Sequence, residues 1–158
     1  MEIERKFLIK ALPFDPSDYK HREITQGYLT KIGASPEKRI RKITDKDISK
    51  YVLTEKEGSG MAREERETEI SAEEYARLRK NVIGADITKT RYYIPTDGGL
   101  TVELDIYGGT LSGLTVAEVE FDSVEDALNF KSPDWFDIEI TDDGRYKNRS
   151  LAEHGLPE

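Results

Sequence analysis

Leu100-Thr101-Val102-Glu103-Leu104-Asp105-Ile106-Tyr107 is the stretch on which the reading of this chain turns. Side chains of a strand alternate between its two faces, so Val102, Leu104 and Ile106 share one face and Glu103 and Asp105 the other. Taken alone, that pattern describes any antiparallel sheet with one face in water. Repetition of the pattern changes its meaning.

The next run, Leu114–Asp122, sets Glu118 and Glu120 opposite Ala117, Val119 and Phe121. Upstream, Ile87–Pro95 places Lys89 and Arg91 on one face, and Glu37–Thr44 does the same with Arg39 and Arg41. Ile48–Lys56 pairs Thr54 with Lys56, and Arg63–Ile70 pairs Glu67 with Glu69. At the start, Glu2–Lys10 puts Glu2, Glu4 and Lys6 opposite Ile3, Phe7 and Ile9; a further alternating run covers Glu23–Thr30. Ala34-Ser35-Pro36, Gly58-Ser59-Gly60, Asp97-Gly98-Gly99 and Gly108-Gly109 mark turns between them. The expectation is an α+β chain of roughly eight antiparallel strands.

Like charges two residues apart lie roughly 6.5–7 Å from each other along a strand, and such pairs are tolerable only with counter-ions or ligands nearby. A solvated face usually mixes neutral and charged polar residues; here whole faces are acidic and others basic. A closed barrel with a charged lumen and outward apolar faces accounts for both, inverting the usual small barrel. Clustered carboxylates bind hard divalent cations such as Mg²⁺ or Mn²⁺. Facing Arg and Lys side chains bind phosphate oxygens. Together they suit a polyanion held jointly by metal and cations, and a triphosphate fits.

Helices cover the outside. Ser71-Ala72-Glu73-Glu74 reads as a capping box, followed by Tyr75, Leu78 and Val82 at helical spacing, with Gly84 as the stop. Ser123–Phe130 reads as a second short helix with Val124, Ala127 and Leu128 as its buried stripe. A third is expected from about Asp143 to Ala152.

The bulk composition bounds the function. At 158 residues, the chain is expected to form a single domain over 1–158. Charged residues make up 35% against 36% hydrophobic, and the net charge is −8. That acidity argues against nucleic-acid or anionic-membrane partners. With no cysteine, neither a disulfide framework nor a thiol nucleophile is available. Met-Glu-Ile-Glu-Arg-Lys precedes no apolar signal segment, and no apolar run approaches the ~20 residues of a membrane helix. A cytoplasmic protein, monomeric or homodimeric, is expected.

Glu2-Ile3-Glu4-Arg5-Lys6 resembles the N-terminal E-x-E-x-K signature of the CYTH family, the triphosphate tunnel metalloenzymes. Arg39-Ile40-Arg41, Thr54-Glu55-Lys56, Glu67-Thr68-Glu69, Lys89-Thr90-Arg91, Glu103-Leu104-Asp105 and Glu118-Val119-Glu120 are similar to the family's paired motifs in type and order. Arg145-Tyr146-Lys147-Asn148 resembles its short plug helix, which contributes a basic residue to the tunnel. The likeness spans nearly the whole chain, with no sign of an appended helical domain.

The resemblance implies that Lys6, Arg39, Arg41, Lys56, Lys89, Arg91 and Lys147 hold a triphosphate. It implies that Glu2, Glu4, Glu118 and Glu120 bind the catalytic metal and, with Lys6, form the catalytic set. Glu67, Glu69, Glu103 and Asp105 are candidates for a second metal, or for pairing with the basic wall. The expected activity is metal-dependent hydrolysis of inorganic triphosphate to phosphate and pyrophosphate. Alternatives are a thiamine triphosphatase or nucleoside triphosphatase, a class IV-type adenylate cyclase, or a non-catalytic polyphosphate-binding module.

Other features carry less weight. His21 and His154 are isolated surface residues on this reading, and Gly58-Ser59-Gly60 lacks the continuation of a phosphate loop. Lys38 and Lys42 alternate away from Arg39 and Arg41, so they form no single basic stripe. Pro133-Asp134-Trp135-Phe136 reads as a core anchor.

Overall fold

The computed structural model describes residues 1–58 and 61–157. Its eight strands are β1 (Glu2–Leu8), β2 (His21–Tyr28), β3 (Glu37–Asp45), β4 (Ile48–Glu57), β5 (Ala62–Ile70), β6 (Ile83–Pro95), β7 (Thr101–Tyr107) and β8 (Thr115–Glu120). They close into a barrel in the order β1-β5-β4-β3-β2-β6-β7-β8, every neighbouring pair antiparallel. The eight-stranded antiparallel barrel expected from the alternation is the observed fold. Of the proposed Gly58-Ser59-Gly60 turn, Ser59 and Gly60 lie outside the described residues.

Apolar faces turn outward, as expected. Ile3, Phe7, Val102, Leu104, Ala117, Val119 and Phe121 pack with Ala127, Phe136 and the partly buried Phe130 and Trp135 on the outside of the wall. The core-anchor reading of Trp135 and Phe136 holds: Trp135 stands edge-on to Phe14, with ring centroids 5.2 Å apart. His21 and His154 are exposed.

The three α-helices are α1 (Ala72–Arg79), α2 (Val124–Asn129) and α3 (Asn148–His154). Ser71 caps α1 by accepting from the Glu74 N–H at 3.0 Å. Three details differ from expectation. Gly84 is not the stop of α1 but lies in β6 with φ +76°, where a Cβ would meet the Ala152 carbonyl oxygen at 2.6 Å; the glycine lets α3 approach the barrel. In α2 only Ala127 is buried, while Val124 and Leu128 are 41% and 70% exposed. The six-residue helix is seated instead by Arg5, which donates to the carbonyls of Ala127 and Phe130 at 2.9 and 3.1 Å. The third helix is split: Gly144–Tyr146 form a 3-10 turn capped by Asp143, and Lys147 is extended (φ −64°, ψ 137°) before α3 begins.

Helix α3 seats Leu151 and Ala152 in a cluster with Tyr28, Ile87, Tyr107 and Val116. Register and alternation put those four on the lumen side, Tyr28 across from Arg39 and Ile87 two residues before Lys89. The helix therefore plugs one end of the barrel with an apolar seat. The β1–β5 joint is short, with two register pairs, Glu2 with Arg63 and Ile3 with Ala62. Beyond it, the edge of β1 is taken by the segment 137–141: Ile138 O accepts from Leu8 N at 2.9 Å, and Ile140 N donates to Lys6 O at 2.8 Å.

Candidate active site

The lumen holds a cavity of about 190 Å³. Lys6, Arg39, Arg41, Lys56, Arg63, Arg91 and Lys147 line it beside Glu2, Glu4, Glu37, Glu65, Glu67, Glu103, Glu118 and Glu120, with Tyr28, Ile140, Thr141 and Asn148. Strand alternation delivers almost all of these. β1 and β8 run in register so that Glu4 faces Glu120 and Lys6 faces Glu118, and Glu118 also faces Glu103 on β7.

The acidic side is unevenly compensated. Lys6 Nζ lies 3.6 Å from Glu118, and Lys56 Nζ bridges Glu2 at 2.9 Å and Glu65 at 3.3 Å. Burial disfavours ionisation of Glu118, yet Lys6 and Arg91 outweigh it and pull its carboxyl down to about 2. Glu4 has no ion pair among the described residues. The Glu118 charge, and then burial, push its carboxyl up to about 8. Glu2 and Glu120 are also raised, burial being the main cause in each.

Among the described residues, no three acidic or histidine side chains converge closely enough to hold a metal ion as they stand. The donor set nonetheless fits one in kind. Hard oxygen ligands lie on adjacent strands, and Glu4 is a half-buried carboxyl that the Glu118 charge, and then burial, keep from ionising, a deficit that a divalent cation removes. Convergence of Glu2, Glu4, Glu118 and Glu120 would require rotation of Glu2 away from Lys56 and of Glu118 away from Lys6.

The basic wall has the opposite deficit. Arg39 and Arg41 are both buried. Arg41 reaches Glu67 at 3.4 Å, whereas Arg39 has no ion pair among the described residues. Burial, followed by repulsion from Arg39 and Arg91, lowers Arg41 to about 10. The Nε atoms of both arginines are buried without a hydrogen-bond partner among the described residues. Such groups are costly unless an acceptor is supplied.

Arg91 is held firmly. Its Nε and Nη2 donate to the two oxygens of Asp105 at 2.7 and 2.9 Å, and Nη1 reaches Glu103 at 2.9 Å. Here Lys89 departs from the sequence expectation, whereas Asp105 takes the alternative of pairing with the basic wall. Lys89 and Asp105 do not line the cavity; they pair with each other at 2.8 Å with side chains 1% and 0% exposed. Burial, partly offset by Asp105, lowers Lys89 to about 8, while Arg91 and Lys89 together overcome burial to hold Asp105 well below the usual carboxylate range. The physical reason is depth: at this level the lumen has narrowed onto Tyr107 and the plug, and charges there can only pair among themselves. Glu69 is also off the cavity, exposed on the far part of β5.

The cavity contains residues to which the sequence assigned no site role: Tyr28, Glu37, Arg63, Glu65, Thr141 and, from the plug motif, Asn148. Glu37 lies two residues before Arg39, and Arg63 and Glu65 continue the face of Glu67, so extending the same alternation would have found them. Tyr28 follows a bulge between Gln26 and Tyr28, which hides its face from simple counting. Thr141 comes from irregular backbone and Asn148 from the first position of α3, where strand alternation gives no signal.

The chain matches no family model. It is 38% identical over 151 residues to an inorganic triphosphatase of Nitrosomonas europaea, covering 96% of each chain. It is 32% identical over 154 residues to an inorganic triphosphatase of Acetivibrio thermocellus, covering 97% of this chain and 94% of the relative. A crystal structure of an inorganic triphosphatase superposes with a TM-score of 0.69 at 35% identity, covering 99% of this chain and 97% of the other. Identity of that extent, on a barrel whose lumen is lined by the paired motifs, shows that the chain belongs to the CYTH family of triphosphate tunnel metalloenzymes.

Proposed function

We propose that the protein hydrolyses inorganic triphosphate to orthophosphate and pyrophosphate in this cavity, using Mg²⁺ or Mn²⁺. One observation carries the reading. Arg39 and Glu4, neither with an ion-pair partner among the described residues, line the same cavity. A divalent ion with a polyphosphate satisfies both, and neither alone does.

Lys6, Arg39, Arg41, Lys56, Arg91 and Lys147 would bind the phosphate oxygens and hold the chain in line, and this positioning with charge stabilisation supplies most of the catalysis in phosphoryl transfer. Glu2, Glu4, Glu118 and Glu120 would hold the divalent ion, whose chemistry is to neutralise phosphate charge and polarise the reacting oxygens. Glu67 and Glu103 stand where they can restrain Arg41 and Arg91. Water oxygen bonds to the terminal phosphorus, the phosphoanhydride bond breaks, and pyrophosphate leaves.

Size favours the inorganic substrate. The cavity, about 190 Å³, is below the ~300 Å³ at which sites for drug-sized ligands begin. Its one aromatic lining residue, Tyr28, is 2% exposed and packed against the plug, so no open ring is offered to a nucleobase or thiazolium. The carboxylate side argues against a mere polyphosphate binder, which needs only the basic wall. A single cytoplasmic domain, monomeric or homodimeric and without nucleic-acid or membrane partners, completes the proposal.

The test is phosphate release from tripolyphosphate, ATP and thiamine triphosphate with Mg²⁺, Mn²⁺ or EDTA. Release from tripolyphosphate that EDTA abolishes, and little from the other two, is expected. Binding without release from any of them would overturn the hydrolase reading.

A further inference from the structure

Glu37 is out of place on a phosphate-binding wall. It opens β3, shares the lumen face with Arg39 and Arg41, and is 6% exposed. A carboxylate there repels an incoming polyanion unless its charge is already taken. It is compensated twice, by ion contacts rather than hydrogen bonds: Oε1 lies 3.2 Å from Arg149 Nε, which has no hydrogen-bond partner among the described residues, and Oε2 lies 3.6 Å from Arg63 Nη2.

Arg149 belongs to the plug helix α3, yet it does not line the cavity. Its Nη1 donates to the carbonyls of Lys31 and Ala34, at 3.1 and 3.4 Å, in the loop between β2 and β3. Its guanidinium is thus committed to the barrel rim and to Glu37. Lys147 and Asn148, two residues and one residue before it, are the plug residues that do face the cavity. Asn148 Oδ1 accepts from Tyr107 Oη at 2.5 Å, and the extended backbone of Lys147 leads directly into the helix. Where the Lys147 side chain points therefore depends on how α3 is seated.

The apolar seat of Leu151 and Ala152 is non-directional and sets depth better than rotation. A buried ion pair contributes little net stability over an apolar pair of the same shape, but it fixes geometry when both partners are present. We propose that Glu37 is a positioning residue: through Arg149 it locks the rotation of the plug and so places Lys147 and Asn148 against the substrate. This rests on the triphosphatase reading for the substrate, and on the ion pair alone for the lock.

The first measurement is amide hydrogen exchange in the full-length protein without ligand, comparing wild type, Glu37→Gln and Arg149→Lys. Exchange at least tenfold faster across 148–154 in Glu37→Gln, with the β6–β8 ladder unchanged and a smaller effect in Arg149→Lys, is expected. Unchanged exchange in the plug would overturn the lock. The second is a double-mutant cycle with Lys147→Ala, read as KM and kcat for tripolyphosphate. A misplacement of about 1 Å can cost up to about 100-fold. Glu37→Gln is expected to lower kcat/KM at least tenfold in the wild-type background and less than twofold once Lys147 is gone. Effects that simply multiply would show that Glu37 does not act through Lys147 and overturn the proposal. If wild type shows neither hydrolysis of tripolyphosphate nor thermal stabilisation by it, the triphosphatase reading fails, and the exchange data still decide the lock.

Discussion

Glu4 on β1 and Glu120 on β8 stand directly opposite each other across an antiparallel ladder, two carboxylates in register inside the barrel. Like charges in that position oppose folding. Because its repulsion with Glu118 and its burial raise Glu4 to about 8, the metal-free protein holds a proton there at neutral pH. Glu4→Gln should therefore leave the metal-free fold intact. A carboxyl raised in the folded state costs stability as pH climbs from its unfolded value, near 4.5, to about 8. The variant should accordingly melt at or above the wild-type temperature at pH 8 without metal, while losing about 100-fold or more in kcat. Unaltered turnover would remove Glu4 from the catalytic set.

The same proton makes metal binding depend on pH. Ligation requires the ionised carboxylate, so divalent-ion affinity should rise about tenfold per pH unit below pH 8 and level off above it. Calorimetric titration of Mn²⁺ in buffers of different ionisation enthalpy would count the proton released. A flat profile between pH 6 and 8 would show that Glu4 is not a ligand.

Arg39→Ala tests the other wall. Hydrogen bonds to charged groups contribute about 1.5–3 kcal/mol, so KM for tripolyphosphate should rise roughly 10- to 100-fold. The ligand-free protein should lose little stability, since the substitution removes the Arg39 repulsion that, second to burial, lowers Arg41 to about 10. Steady-state kinetics and a melting curve on the same sample would separate the two effects.

Asp105→Asn should behave differently from any cavity variant. Removing one partner of a buried pair costs about 3–5 kcal/mol, because Lys89 is left charged with a side chain 1% exposed. Lys89 already titrates at about 8, and without Asp105 it will lose its proton more readily. With Lys89 neutral the penalty fades, so the stability deficit should shrink as pH rises from 6 to 9. Denaturant melts at the two pH values would show it.

The barrel and the walls of its cavity are legible in the sequence because strand alternation is strict and the charges are segregated by strand. Glu103 with Asp105, Glu118 with Glu120 and Arg39 with Arg41 each announce a lumen face. What alternation cannot report is depth. It puts Lys89 and Asp105 on the same face as Arg91 and Glu103, but only the packed structure shows that the plug seals the lumen at their level. Nor can it foresee Gly84, whose left-handed backbone is set by the approach of Ala152 from a distant part of the chain. Helix α2 shows the converse: its apolar spacing suggested a buried stripe, but a six-residue helix anchored by Arg5 turns Val124 and Leu128 to solvent.

The two-pair joint between β1 and β5 has a consequence for assembly. Most of the ring is made of hairpins between strands adjacent in sequence, whereas this joint brings together segments some sixty residues apart and gains little from doing so. It should be among the last contacts to form, together with the segment 137–141 that continues it along β1. Glu2 and Glu4 lie on the strand that arrives last, and Lys147 on the segment that follows. A ring without β1 thus keeps Arg39, Arg41, Lys56 and Arg91 together with Glu118 and Glu120 but lacks Glu2, Glu4 and Lys6, so a partly denatured chain should bind polyphosphate without cleaving it.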